Sequence, residues 1–270
     1  MKIGLALGGG GVLGVAHLAL LEELEKNDIK IDMVAGTSAG SVVGALYSYG
    51  GVNLVIEFLK VVREKDLFSK KRIFFNLNPD TFFKKIEDIL SDLMPDAKFS
   101  DLKIDLVLLA TNLDSGDCVE LSRGDLVKSI MASSAYPGVF PLQHFGGLRL
   151  SDGGITNNLP TDVLKRHGCN YVIASSLNTL KEISDRKPLN RAQVVSRALD
   201  IMLYELEKIQ VSSADFCYLP PVDGYRWYNF DKFEEILTKS RDYASQVVLE
   251  IKQDVESKRP KSFFARLFSS

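Results

Sequence analysis

Residues 31–40, Ile31-Asp32-Met33-Val34-Ala35-Gly36-Thr37-Ser38-Ala39-Gly40, decide the fold of this chain. The apolar run 31–35 is short and ends in turn residues, so it reads as a buried strand. The stretch SVVGALYSYG behind it reads as a helix. Between them, Gly36 to Gly40 match the pattern GxSxG. At a strand-to-helix junction this pattern sets a serine hydroxyl on a strained turn at the carboxyl end of a sheet. Gly36 and Gly40 allow neighbouring backbone to come close, and a helix that starts at Ser38 favours negative charge there. The same letters also fit a glycine-rich turn with an N-capping serine. The strand before and the helix after favour an exposed nucleophile.

Upstream, residues 2–8 form another short apolar run that ends in Gly8-Gly9-Gly10-Gly11, and residues 14–26 carry Leu18, Leu21 and Leu24 at helical spacing. Gly9, Gly11 and Gly14 fit a dinucleotide fingerprint, but that fingerprint needs an acidic residue at the end of the second strand. The second strand runs instead into the serine turn. The better reading is an oxyanion hole, with consecutive glycine N–H groups aimed at a developing alkoxide. The run at 3–8 is too short and too glycine-rich for a leader peptide, and no stretch of 18 apolar residues predicts a membrane span.

Downstream, residues 53–100 read as amphipathic helices, VNLVIEFLKVVREK and PDTFFKKIEDILSDLM, an insertion too short for a core of its own. Strands return at 104–111, 118–122, 147–152 and 171–177. Helices are expected at 124–135, 161–168, 190–213 and 231–257, with a last strand at DFCYLP. Alternating strands and helices predict an α/β fold, a three-layer α/β/α sandwich on a mostly parallel central sheet. We expect one domain over 1–257 and a basic, aromatic tail over 258–270.

The formal net charge of −2 gives no basic field for nucleic acid. Cys118, Cys169 and Cys217 are scattered and odd in number, and with three isolated histidines they suggest neither a disulfide framework nor a metal site. A reducing, cytoplasmic setting fits.

A serine nucleophile needs a base. His17 sits among apolar residues of the first helix and reads as a packed or half-exposed histidine. His144 lies in a loop, and His167 ends a short helix where a cation suits the dipole. Asp152 ends a strand and is followed by Gly153-Gly154, which allows close backbone approach. A carboxylate at the carboxyl end of a strand in such a sheet belongs to the ligand crevice. A turn-forming Asp-Gly pair explains the same letters equally well.

Together these motifs resemble the patatin-like phospholipase family, in its compact bacterial form. GGGGVLG at 8–14, GTSAG at 36–40, ATNLDSGD at 110–117, ASSAYPGVFP at 132–141 and DGGITNNLP at 152–160 resemble its blocks, in order. The resemblance implies a Ser38–Asp152 dyad, with Gly9, Gly10 and Gly11 as oxyanion donors and Gly36, Gly40, Gly153 and Gly154 supporting them. It implies hydrolysis of fatty-acyl esters of lipids, with no metal and no organic cofactor. One departure stands out: Leu13 occupies the place where the family often carries Arg or Lys. A Ser–His–Asp hydrolase, an acyltransferase and a lipid-binding protein with a decayed site are the rivals. Phe263, Phe264, Leu267 and Phe268 share one helical face in the basic tail, which reads either as a peripheral membrane anchor or as a tail packed on the domain. The aromatic stretch 70–85 has two similar readings, lid or interface against core-facing helix. The crevice is expected to be roofed by the 53–100 helices.

Overall fold

A computed structural model describes residues 1–65, 67, 78–178 and 190–258. The core of the sheet is parallel: β1 (Ile3–Leu7), β2 (Met33–Thr37), β3 (Asp105–Asn112), β7 (Tyr171–Ser175) and β8 (Phe216–Tyr218), in the order β3-β2-β1-β7-β8. β1, β2 and β7 are buried along their whole length, as strands covered on both faces must be. Alternate side chains then enter different layers. Leu5, Leu7, Val34 and Leu108 join a large core, and Ala6, Ala35, Val107 and Val172 a smaller one.

Helices α1 (Val15–Lys26), α2 (Ala39–Gly50), α5 (Leu126–Ser133) and α8 (Phe233–Lys258) contribute to the large core. The smaller core is closed by α6 (Thr161–Arg166) and by the end of α7 (Arg191–Val211). The result is the expected three-layer α/β/α sandwich. Among the described residues of 53–100 the expected helices are α3 (Val52–Glu64) and α4 (Pro79–Leu93). Val55, Phe58, Phe83 and Leu90 bury in the same core as the sheet.

Two details differ from the sequence reading. β2 begins at Met33, because Asp32 caps the neighbouring strand: its Oδ2 accepts the Ile3 N–H at 2.7 Å. One end of the sheet is antiparallel, built from β4 (Cys118–Leu121), β5 (Gln143–Phe145) and β6 (Leu148–Asp152). β5 was not anticipated. Its signal was present in Gly146-Gly147, both at positive φ (59° and 83°), the two-residue loop that a tight hairpin favours. The tail 259–270, with Phe263, Phe264, Leu267 and Phe268, and residues 68–77 lie outside the described residues.

Candidate active site

The site is built where two strands meet end to end. β4 pairs with β3 across Leu108–Thr111, so it occupies one edge of β3. β2 and β6 must share the other edge. There Thr37 pairs with Leu109, and Asp152 pairs with the next residue, Ala110. The carboxyl ends of a parallel and an antiparallel strand therefore abut, with Ser38 just past one and Asp152 at the other. Asp152 ends its strand as read from the sequence, and β6 runs antiparallel to β3. It reaches the crevice because it overlaps only the last residues of β3.

Ser38 caps α2 at φ 53°, ψ −120°, a backbone state that L-residues rarely adopt and that costs on the order of 1–3 kcal/mol. The surroundings hold it there. Its N–H donates to Ser133 Oγ at 3.0 Å, and the Ser133 hydroxyl donates to the Leu109 carbonyl at 2.6 Å. Its carbonyl accepts the Ser41 hydroxyl at 2.6 Å. The flanking glycines are sterically required: a Cβ on Gly40 would lie 2.1 Å from the Leu7 carbonyl oxygen, and one on Gly36 would lie 2.5 Å from that of Gly40. Ser133 was not singled out in the sequence, and only its place in the block ASSAYPGVFP hinted at it.

Asp152 is 3% exposed. Its Oδ1 accepts the Gly154 N–H at 2.8 Å. Burial pushes its carboxyl up to about 6, while the Ser38 side chain and the Gly154 N–H favour the charged form. Oδ2 is buried and has no hydrogen bond of good geometry. The serine hydroxyl thus bears on the carboxylate without a closed bond, a common state for such pairs before substrate tightens them.

The glycine loop lies beside Ser38. A Cβ on Gly9 would come within 3.1 Å of the Ser38 Cβ. The Gly9 N–H is engaged by the Asn158 carbonyl at 3.2 Å. No partner within the described residues takes the N–H of Gly10 or Gly11. Of the three expected donors, Gly10 and Gly11 are the free ones. Behind the loop, α7 supplies Glu207, which is 2% exposed. It accepts the Asn158 Nδ2 at 2.6 Å and the Ser176 hydroxyl, and burial raises its pKa. No motif pointed to Glu207, because an acid on a helix gives no local sign that it is buried.

Ser38, Asp152, Gly10 and Gly11 line a cavity of about 580 Å³, within the usual range for small-ligand sites. Its other walls come from α7 (Leu199, Leu203, Leu206), the loop after α5 (Tyr136, Phe140) and the segment 224–227. None of the described residues of 53–100 lines it; residues 66 and 68–77, on which part of the expected roof falls, lie outside the described residues. α3 and α4 use their apolar faces to pack on the large core. Leu13 lines the cavity and is 6% exposed.

The histidines lie elsewhere. His17 is fully buried, with Nε2 2.8 Å from the Gly8 carbonyl and Nδ1 2.8 Å from Ser175 Oγ. A carbonyl only accepts, so Nε2 carries the proton and the Ser175 hydroxyl donates to Nδ1. Burial lowers its pKa to about 4 and keeps it neutral. It fastens the start of the glycine loop to β7. His144 is exposed on β5, and His167 lies 2.9 Å from Glu120. Among the described residues no cluster is suited to a metal ion, and no helix is long and apolar enough to cross a membrane.

A profile of the patatin-like phospholipase family matches residues 5–165, and the chain belongs to that family. The lysophospholipase NTE1 of Debaryomyces hansenii is 28% identical over 92% of this chain and 18% of its own length. A patatin-like phospholipase domain-containing protein of Caenorhabditis elegans, ZK370.4, is 26% identical over 92% of this chain and 21% of its own. The chain thus spans about a fifth of the length of these curated relatives. The crystal structure of VipD from Legionella pneumophila shares the fold, with a TM-score of 0.58 and 13% identity over 92% of this chain and 67% of that one.

Proposed function

We propose that this protein is a serine hydrolase that cleaves fatty-acyl esters of lipids, of the phospholipase A or lysophospholipase kind. Ser38 is the nucleophile and Asp152 the base. The observation that carries this reading is the abutment of β2 and β6, which sets a strained, half-buried serine beside a buried carboxylate. Ser38 Oγ attacks the ester carbonyl as Asp152 takes its proton, and the N–H groups of Gly10 and Gly11 receive the oxyanion. Each such donor is worth roughly 3–4 kcal/mol in comparable sites. The leaving alcohol collects the proton from Asp152, and water activated by the same carboxylate releases the fatty acid. The apolar wall from α7 suits an acyl chain. The scheme needs no metal or cofactor.

Location in the cytoplasm, peripheral to a membrane, belongs to the same proposal. Its support is three free cysteines and a lipid substrate.

Hydrolysis of p-nitrophenyl esters from acetate to palmitate is the test, together with labelling by a fluorophosphonate. Ser38→Ala is expected to lose both, and Asp152→Asn to lose turnover by a factor of at least 10³, in line with loss of a proton acceptor. An active Asp152→Asn beside an inactive His144→Ala would overturn the dyad. A folded wild type that fails to label would indicate a decayed site.

A further inference from the structure

A glycine loop can turn its peptides over at little cost, so something must hold each one if its N–H groups are to receive an oxyanion. A trans peptide is planar, and a carbonyl points opposite to the N–H of the next residue. Whatever holds a carbonyl therefore aims the following N–H. His17 Nε2 holds the Gly8 carbonyl at 2.8 Å, and the Gly9 N–H that this aims meets the Asn158 carbonyl at 3.2 Å. The Gly10 carbonyl accepts the Leu13 N–H at 3.2 Å, which aims the Gly11 N–H the other way. Between them stands the Gly9 carbonyl, which aims the Gly10 N–H. Among the described residues it is met by the Asn158 side chain, with Nδ2 3.5 Å away. Asn158 thus grips Gly9 at both its N–H and its carbonyl.

Packing and charge keep the amide in that place. Asn158 is buried, and its Oδ1 is wedged between the glycine loop and the turn after Asp152. A Cβ on Gly9 would lie 2.5 Å from that oxygen, and one on Gly154 would lie 2.9 Å from it. Glu207 decides which end of the amide faces the wedge. A carboxylate accepts, so it takes Nδ2, at 2.6 Å, and leaves Oδ1 to the glycines. The amide has two protons, one for Glu207 and one for the Gly9 carbonyl. The Ser176 hydroxyl donates to the other Glu207 oxygen. Glu207 itself does not line the cavity. One turn on, Gln210 pins the same segment to α7: its Oε1 accepts the Leu159 N–H and its carbonyl accepts the Thr161 hydroxyl, both at 2.8 Å.

We propose that Asn158 is a positioning residue of the oxyanion hole, which aims the Gly10 N–H through the Gly9 carbonyl, and that Glu207 acts by locking the Asn158 amide in the orientation this requires. The role rests on the hydrolase reading and assigns to that site two residues its scheme does not use.

The test sets hydrolysis of p-nitrophenyl octanoate beside binding of heptyl trifluoromethyl ketone, whose adduct with Ser38 puts an oxyanion on the same donors. Asn158→Ala is expected to lower kcat and ketone affinity by at least about 10-fold each, with KM changed less than about 3-fold, because the donor acts on the transition state. Glu207→Leu should do the same. Glu207→Gln, whose amide oxygen still accepts Nδ2, should keep at least about a third of kcat. Adding Glu207→Leu to Asn158→Ala should cost less than about 2-fold more, because the first acts through the second. Losses that multiply overturn the proposal. So do a loss carried by KM, a loss of kcat with ketone affinity intact, and an Asn158→Ala protein with unchanged kcat. Urea midpoints show whether each variant is folded; should Glu207→Leu unfold, Glu207→Asp, one methylene too short to reach Nδ2, takes its place. Failure of the hydrolase reading appears separately, as wild-type protein that neither labels with fluorophosphonate nor turns over, and it removes this role as well.

Discussion

At the scale of single residues, the site concentrates groups held away from their preferred state. Ser38 carries backbone strain, and Asp152 carries a carboxyl that burial disfavours in its charged form. The proposed base Asp152 would work only when ionised, so kcat/KM should fall as pH drops through about 6 and level off above it. The same group has a consequence for stability. Its folded value, about 6, stands above its reference value of 3.8. Protonation therefore favours the folded state. That stabilisation is complete below pH 3.8 and lost as pH rises through about 6. Asp152→Asn keeps the acceptor for the Gly154 N–H and removes the buried charge. Its gain in stability at pH 8 should be up to about 3 kcal/mol, read as a higher midpoint in urea, and should shrink towards pH 4. An unchanged midpoint at pH 8 would mean that Asp152 is better solvated than its burial implies.

At the scale of elements, the decisive feature is register. Asp152 stands beside Ser38 because it pairs with Ala110 while Thr37 pairs with Leu109. A slip of one residue would turn Asp152 to the other face of the sheet. The Gly146-Gly147 hairpin sets β6 against β5, and Gly153 lets the chain turn out of β6 against β3. A Cβ on Gly153 would lie 2.2 Å from the Leu109 carbonyl. Gly153→Ala is thus expected to displace the end of β6, with a loss of at least about 2 kcal/mol in stability and of at least 10-fold in kcat. Thermal unfolding and ester hydrolysis check the two together. Retention of both would show that the end of β6 can shift without consequence.

At the scale of the whole molecule, the cavity is assembled from parts far apart in the chain: the glycine loop, the serine turn, α7 and the 224–227 segment. Glu207 joins α7 to the floor through Asn158, whose carbonyl holds Gly9. On the proposed hydrolase reading, the wall of Leu199, Leu203 and Leu206 would make α7 the contact for the acyl chain. Filling that wall with Leu206→Trp should cut hydrolysis of the palmitate ester at least 10-fold more than that of the acetate ester. A uniform loss across chain lengths would place the acyl chain elsewhere.

Much of the fold was legible because its requirements are local. Apolar runs ending in glycine mark buried strands, and the crowded backbone at Gly36 and Gly40 admits no other residue, so the serine turn is written in five consecutive letters. The three-layer class follows from the alternation of strands and helices. The role left open for Asp152 was not legible, since Asp-Gly-Gly describes a turn as well as a site. It became neighbour to Ser38 through the pairing of β6 with β3, a contact set by long-range register. The same holds for the antiparallel end of the sheet and for the cavity wall supplied by α7. Consecutive residues carry the steric and hydrophobic rules of their own segment. Which segments touch is decided by how the whole chain buries its apolar surface, and only the tertiary structure records that choice.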